Sequence, residues 1–206
     1  MITTEQAATF ERCMAVGGVA VFGADTVYGL ACDVANPEAV ERLYAIKGRR
    51  PDKPAAVMFF GLDLALAALG ELGPRTTAAL EGLLPGAVTL LLPNPSHRFP
   101  LACGPDPDTV GLRVPALAPT ATALAAVRWP VLQSSANPAG GAEARRLEDI
   151  PQAIRDQADL LLDAGELAGT ASTVIDLRRF EHEGAWDVIR EGAVASSCVA
   201  ATLASL

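Results

Sequence analysis

Hydrophobic positions along the chain fall into two rhythms. Where they recur every three or four residues they predict amphipathic helices. The first is capped by Thr4, carries Ala7, Phe10 and Met14 on one face, and is stopped by Gly17-Gly18. A second opens at Asn36-Pro37, an N-cap followed by a residue whose fixed φ suits a first turn, and runs to Gly48. Further helical patterns cover 62–69, 74–84, 118–127, 147–158 and 194–203. Short uninterrupted apolar runs instead predict buried strands at 19–22, 55–60, 87–92, 110–114, 131–134, 160–162, 173–177 and 186–189. Segment 93–108 holds five prolines in sixteen residues and reads as a stiff loop that frames something. Strands and helices alternate irregularly over 1–206, which predicts one α/β domain with three layers around a single twisted, mixed β-sheet.

Composition narrows the function classes. Half of the 206 residues are apolar, yet no stretch approaches the roughly 18 to 20 apolar residues that a membrane-spanning helix needs. Glu5, Glu11 and Arg12 interrupt the N-terminal region, which lacks a signal-peptide pattern, so a cytoplasmic location is expected. Cys13, Cys32, Cys103 and Cys198 are scattered, with only His97 and His182 to join them, and no protein-held metal site is expected. A net charge of −8 opposes a long RNA footprint and leaves room only for a local basic pocket.

The phosphate loop GxxxxGK[ST], the GxGxxG turn, HExxH and GxSxG are all missing, so a nucleotide site has to be built another way. The segment Lys47-Gly48-Arg49-Arg50-Pro51-Asp52-Lys53-Pro54 places four cations in seven residues between a helix and a buried strand. Such cations suit a polyphosphate, or simply solvate a turn at the carbonyl end of the helix. Ser134-Ser135-Ala136-Asn137, followed by Gly140-Gly141, offers hydroxyl, amide and backbone donors at a strand end, or a capped turn. Arg113 stands inside an apolar strand and requires a carboxylate partner, from the protein or from a ligand. Ser172 to Asp176 and Ile189-Arg190 each join a buried strand to polar groups. Tyr28, between two apolar runs, is either a site residue or a core aromatic with its hydroxyl satisfied.

Taken in order, these segments resemble the YrdC/Sua5 family of threonylcarbamoyl-AMP synthases, from about Gly17 to Gly192. The family's PTDTVYGL corresponds to Gly23 through Leu30, and its KxR and SxN elements to Lys47, Arg49, Ser135 and Asn137. Its TxGxRxP runs from Thr109 to Pro115, its STVVD from Ser172 to Asp176, and its IxRxG includes Arg190. The resemblance implies that threonine, bicarbonate or CO2, and ATP give threonylcarbamoyl-adenylate and pyrophosphate, with Mg²⁺ accompanying the nucleotide. It also implies a partner complex that transfers the threonylcarbamoyl group to tRNA, with at most weak direct contact to the tRNA.

On this reading Lys47, Arg49, Ser135 and Asn137 carry the chemistry, and Thr109 and Arg190 join them around ATP. Arg113, Tyr28, Ser134 and Ser172 bind threonine. Gly23-Ala24 replaces the family's Pro-Thr and removes a hydroxyl expected near the amino acid. Two other readings are a non-catalytic relative that binds RNA, against which the acidic balance counts, and a carbamoyl-transfer module like that of hydrogenase maturation proteins, whose accompanying regions this chain lacks.

Overall fold

Thr3, one residue earlier than the pattern indicated, caps the first helix in the computed structural model, which describes residues 1–50 and 52–206. Its hydroxyl accepts from the Gln6 N–H at 3.2 Å, while the Gln6 carboxamide oxygen accepts from the Thr3 N–H at 2.9 Å. This reciprocal pair satisfies two donors that a helix start leaves free. The helix, α1 (Thr4–Ala15), buries Phe10 against Phe22 and Phe60, with ring centroids 5.2 and 5.6 Å away. α2 (Pro37–Lys47) opens on the Asn36 cap as expected and ends at Gly48, whose φ of 61° turns the chain away.

Among the described residues, nine strands form one mixed sheet. They are β1 (Ala20–Gly23), β2 (Tyr28–Asp33), β3 (Ala56–Met58), β4 (Val88–Pro93), β5 (Thr109–Arg113), β6 (Val131–Ser135), β7 (Leu160–Leu162), β8 (Thr173–Asp176) and β9 (Asp187–Arg190). Their order is β7-β1-β2-β6-β3-β5-β4-β8-β9. The pairs β1–β7, β3–β5 and β4–β8 are parallel and the other neighbours antiparallel. The mixed sheet was expected; β2 was not among the predicted strands, because Asp25, Thr26 and Tyr28 mask the apolar run that follows them. It pairs with β1 as a hairpin, Gly23 opposite Tyr28. Gly23 is needed there for room, since a Cβ would come within 2.7 Å of the Ala164 Cβ.

Helical patterns read across prolines are shorter in the structure. The stretch 118–127 contains only a 3₁₀ turn, Thr122–Ala126, because Pro119 disfavours helix in the residue before it. Pro151 likewise splits 147–158 into a 3₁₀ turn (Leu147–Asp149) and a short α6 (Gln152–Arg155). The proline-rich segment holds one helical turn, α5 (Pro100–Cys103). Helices α3 (Leu62–Ala68), α4 (Pro74–Leu83) and α8 (Ser196–Leu203) lie within their predicted ranges, and α7 (Phe180–Glu183) is too short to show a period. Pro51, part of the basic segment, lies outside the described residues.

Candidate active site

Register across the middle of the sheet places Gln133, Ala56, Gly111 and Leu91 side by side on β6, β3, β5 and β4. All four line a cavity of about 410 Å³. The two central residues are nearly without side chains, which leaves space above the strands. A side-chain period of two sets what joins them: Thr109 and Arg113 from β5, Thr89 from β4, and Ser172 and Val174 at β8 also line the space. Leu90, Leu112, Val57 and Leu132, the alternate residues, are buried in the hydrophobic core.

Of the side chains singled out in the sequence, Arg49, Thr109, Arg113, Ser134, Ser135, Ser172 and Arg190 line this cavity. Arg113 meets a protein carboxylate: its Nη2 donates to Asp25 Oδ1 at 2.8 Å and Oδ2 at 3.1 Å. Both side chains are only 6% exposed. The carboxylate that a buried strand arginine demands is therefore Asp25, and the expected bidentate grip on a ligand carboxylate is already partly taken. Arg113 Nε, however, is buried and has no partner among the described residues.

Arg49 repeats that feature. Its Nη2 donates to the Pro54 carbonyl and its guanidinium lies over the Tyr44 ring, 5.8 Å from the centroid, while Nε is buried without a partner among the described residues. Arg190 Nη2 donates to the Ser172 carbonyl at 2.8 Å and sits 3.4 Å from its Oγ, which shares a 2.8 Å hydrogen bond with Thr89 Oγ1. Among the described residues, neither Arg49 nor Arg190 has a carboxylate in contact, so both keep their charge for whatever enters.

Lys47 and Asn137 do come together with Ser135, but around one another. Lys47, 4% exposed, directs its ammonium at the Ser135 carbonyl (2.6 Å), the Asn137 carbonyl (2.8 Å), Asn137 Oδ1 (2.8 Å) and Ser135 Oγ (3.2 Å). Ser135 Oγ donates to Asn137 Oδ1 at 2.6 Å, and Asn137 Nδ2 donates to the Gly141 carbonyl. Neither Lys47 nor Asn137 is among the described residues that line the cavity. Set beside the expectation that both grip phosphate, three ammonium protons here face four protein acceptors, and the amide is engaged at both ends. Burial, and then the charge of Arg49, pull the Lys47 pKa down to about 8.

Tyr28, also expected on the amino-acid side, is not among the described residues that line the cavity. Its ring is fully buried away from the cavity, and its hydroxyl lies 2.9 Å from each of Asp163 Oδ1 and the Gly165 carbonyl while accepting from the Ala164 N–H at 2.9 Å. It is the core aromatic with a satisfied hydroxyl, and burial raises its pKa. Ala24 is buried off the cavity, whereas the hydroxyl-bearing Thr26 lines it and lies 3.4 Å from Arg113 Nη2.

Sequence reasoning missed Gln133, Thr26, Glu143, Asp106 and Arg178, all on the cavity wall. Gln133 was detectable, being two residues from Ser135 on a strand and so on its face. Arg178 carried no local signal. Among the described residues no group of three or more His, Cys, Asp or Glu side chains is placed to hold a metal ion, and no helix is long and apolar enough to cross a membrane.

The family model of the Sua5, YciO and YrdC proteins, described as "Telomere recombination", matches residues 12–192. The chain belongs to the Sua5/YciO/YrdC family. A member from Pseudomonas aeruginosa named threonylcarbamoyl-AMP synthase is 32% identical over 169 residues, 82% of this chain and 90% of that one. One of the same name from Stutzerimonas stutzeri is 33% identical over 172 residues, 82% and 91% of the two chains. Among solved structures, P. abyssi Sua5 complexed with L-threonine superposes with a TM-score of 0.84 at 24% identity, over 98% of this chain but 58% of that longer one. E. coli YciO gives 0.81 at 24% identity, over 96% and 94%. At these identities the structural likeness is one of fold.

Proposed function

We propose that this Sua5/YciO/YrdC protein is an ATP-dependent nucleotidyltransferase, L-threonylcarbamoyladenylate synthase, acting in the cytoplasm. One observation carries the reading: two arginines on a single cavity wall, Arg49 and Arg113, each keep a buried Nε donor that no atom of the described residues satisfies. Buried donors are nearly always paired, so both point to ligand oxygens.

In the reaction a carbamate oxygen of N-carboxythreonine attacks the α-phosphorus of ATP, and the bond to the bridging oxygen breaks with release of pyrophosphate. Anions are brought together and no covalent nucleophile is needed, so the protein contributes position and positive charge. Arg49 and Arg190 hold phosphate oxygens, with Thr109 as a hydroxyl donor and Ser135 on the same wall. Arg113 offers Nε to the threonine carboxylate, and Asp25 fixes its guanidinium from the buried side. Ser134, Ser172 and Thr26 complete the amino-acid side.

Lys47 and Asn137 act one layer behind, by holding the Ser135 loop in shape. Glu143, on the cavity wall, would offer a hard oxygen donor to a Mg²⁺ accompanying the nucleotide, which would neutralise phosphate charge. The product passes to a threonylcarbamoyl-transferase complex acting on tRNA. A net charge of −8 keeps any direct tRNA contact weak, and no feature of the site favours a non-catalytic RNA-binding role.

The test is pyrophosphate release with mass detection of the adenylate. Release is expected only when threonine, bicarbonate and ATP are all present; release that persists without threonine would overturn the assignment.

A further inference from the structure

Arg178 lines the same cavity from just beyond β8. Asp176 grips one edge of its guanidinium: Nε donates at 2.9 and 3.1 Å to the two carboxylate oxygens, and Nη2 donates to Oδ2 at 2.6 Å. A fork held on two nitrogens has its plane and direction set. Nη1 is left over. It faces Thr109 Oγ1 at 3.3 Å and Asp106 Oδ2 at 3.7 Å, and both of those residues also line the cavity.

The two contacts of Nη1 are weak ones. The Asp106 side chain is 52% exposed and that of Arg178 44%, and the separation is near the outer limit for an ion pair. Exposed pairs of this kind contribute little. Asp106 belongs to the proline-rich segment, whose end is tied back by the Asn94 N–H to the Asp108 carbonyl at 2.8 Å. A phosphate oxygen reaching the same Nη1 brings more charge than one solvated carboxylate and meets a donor already aimed.

We propose that Arg178 Nη1 is an exchange position, held by Asp106 in the free protein and taken by a phosphate oxygen when the nucleotide binds, which releases the Asp106 end of the proline-rich segment. This rests on the ATP reading of the cavity and adds a residue to it. Asp106 is then a built-in competitor of the nucleotide, and Arg178 a binding residue that is neutral toward threonine.

The experiment is calorimetric titration of the intact protein with MgATP, without threonine, for the wild type, Asp106→Asn, Arg178→Gln, Arg178→Lys and the double variant Asp106→Asn/Arg178→Gln. Asp106→Asn is expected to tighten MgATP by about threefold and Arg178→Gln to weaken it by about tenfold, with partial recovery in Arg178→Lys, which keeps charge but not the fork. The gain from Asp106→Asn should vanish in the Arg178→Gln background, because removing a competitor helps only where the contested donor exists. A gain that persists there, or an Arg178→Gln affinity equal to wild type, overturns the proposal while leaving the synthase reading intact. A wild type that binds no MgATP overturns both. Asp106→Asn lies outside the Asp176 grip, so it keeps the test readable even where Arg178→Gln melts early.

Discussion

The chain puts basic side chains at two places only two residues apart, and the fold gives them opposite fates. Lys47, on the last turn of α2, is buried against Ser135 and Asn137 with every proton facing a protein oxygen. Arg49, just past the turn at Gly48, stands on the cavity wall with a donor left over. One site is closed on itself and the other is open, although a motif reading treats the two as equivalent. What separates them is whether the fold supplies acceptors. A cation whose protons are all engaged shapes a loop, whereas one with a free donor recruits a ligand.

Substitutions can break this contrast. The largest effect is expected at Arg113→Ala, which strands the Asp25 carboxylate in a buried site. A loss of about 3–5 kcal/mol of stability is expected in urea unfolding, as for other broken buried pairs, together with loss of threonine-dependent turnover. Lys47→Met follows. It leaves several buried acceptors unmatched and should cost about 2–3 kcal/mol, and in steady-state kinetics it should lower kcat more than it raises the KM for ATP. A Lys47→Met enzyme with only its ATP KM raised would place the ammonium on phosphate after all.

Arg49→Ala should do the reverse, raising the ATP KM about tenfold while unfolding within about 1 kcal/mol of wild type, as expected for a partly exposed side chain whose lost partner is substrate. Tyr28→Phe tests the core assignment: a loss of about 1 kcal/mol from the missing hydrogen bonds, with the threonine KM unchanged.

The last effect is one of pH, and its sign distinguishes the closed site. Lys47 in the folded protein releases its proton near pH 8, against 10.5 ordinarily. Turnover should therefore fall as pH rises through about 8, because the ammonium holds the Ser135 loop. Between about 8 and 10.5 the unfolded chain still carries the proton that the folded site has given up, so this group makes stability rise with pH over the same window. Rate and stability profiles moving in opposite directions, both absent in Lys47→Met, would mark the closed site as a positioning device.

Much of the fold was legible because strands and helices bury their residues at different periods. The reading failed where something local masked the period: Pro119 and Pro151 inside apparent helices, and polar Asp25 and Thr26 ahead of β2. The site was legible as a set of segments but not as a set of contacts. Arg113 illustrates the boundary, since an arginine in an apolar strand announced that a carboxylate must be near but not that Asp25, 88 residues away in sequence, would supply it.

The amino-acid sequence by itself determined most of the strands and helices, where the polar groups cluster along the chain, and that buried charge must find a partner, because these follow from side-chain chemistry and spacing. Tertiary structure alone decided that Lys47 and Asn137 satisfy each other, that Tyr28 turns to the core, and that Arg178 joins the cavity. Those outcomes depend on which acceptor lies within about 3 Å of a given donor, and that distance is set by strand register and loop closure between residues far apart in the chain.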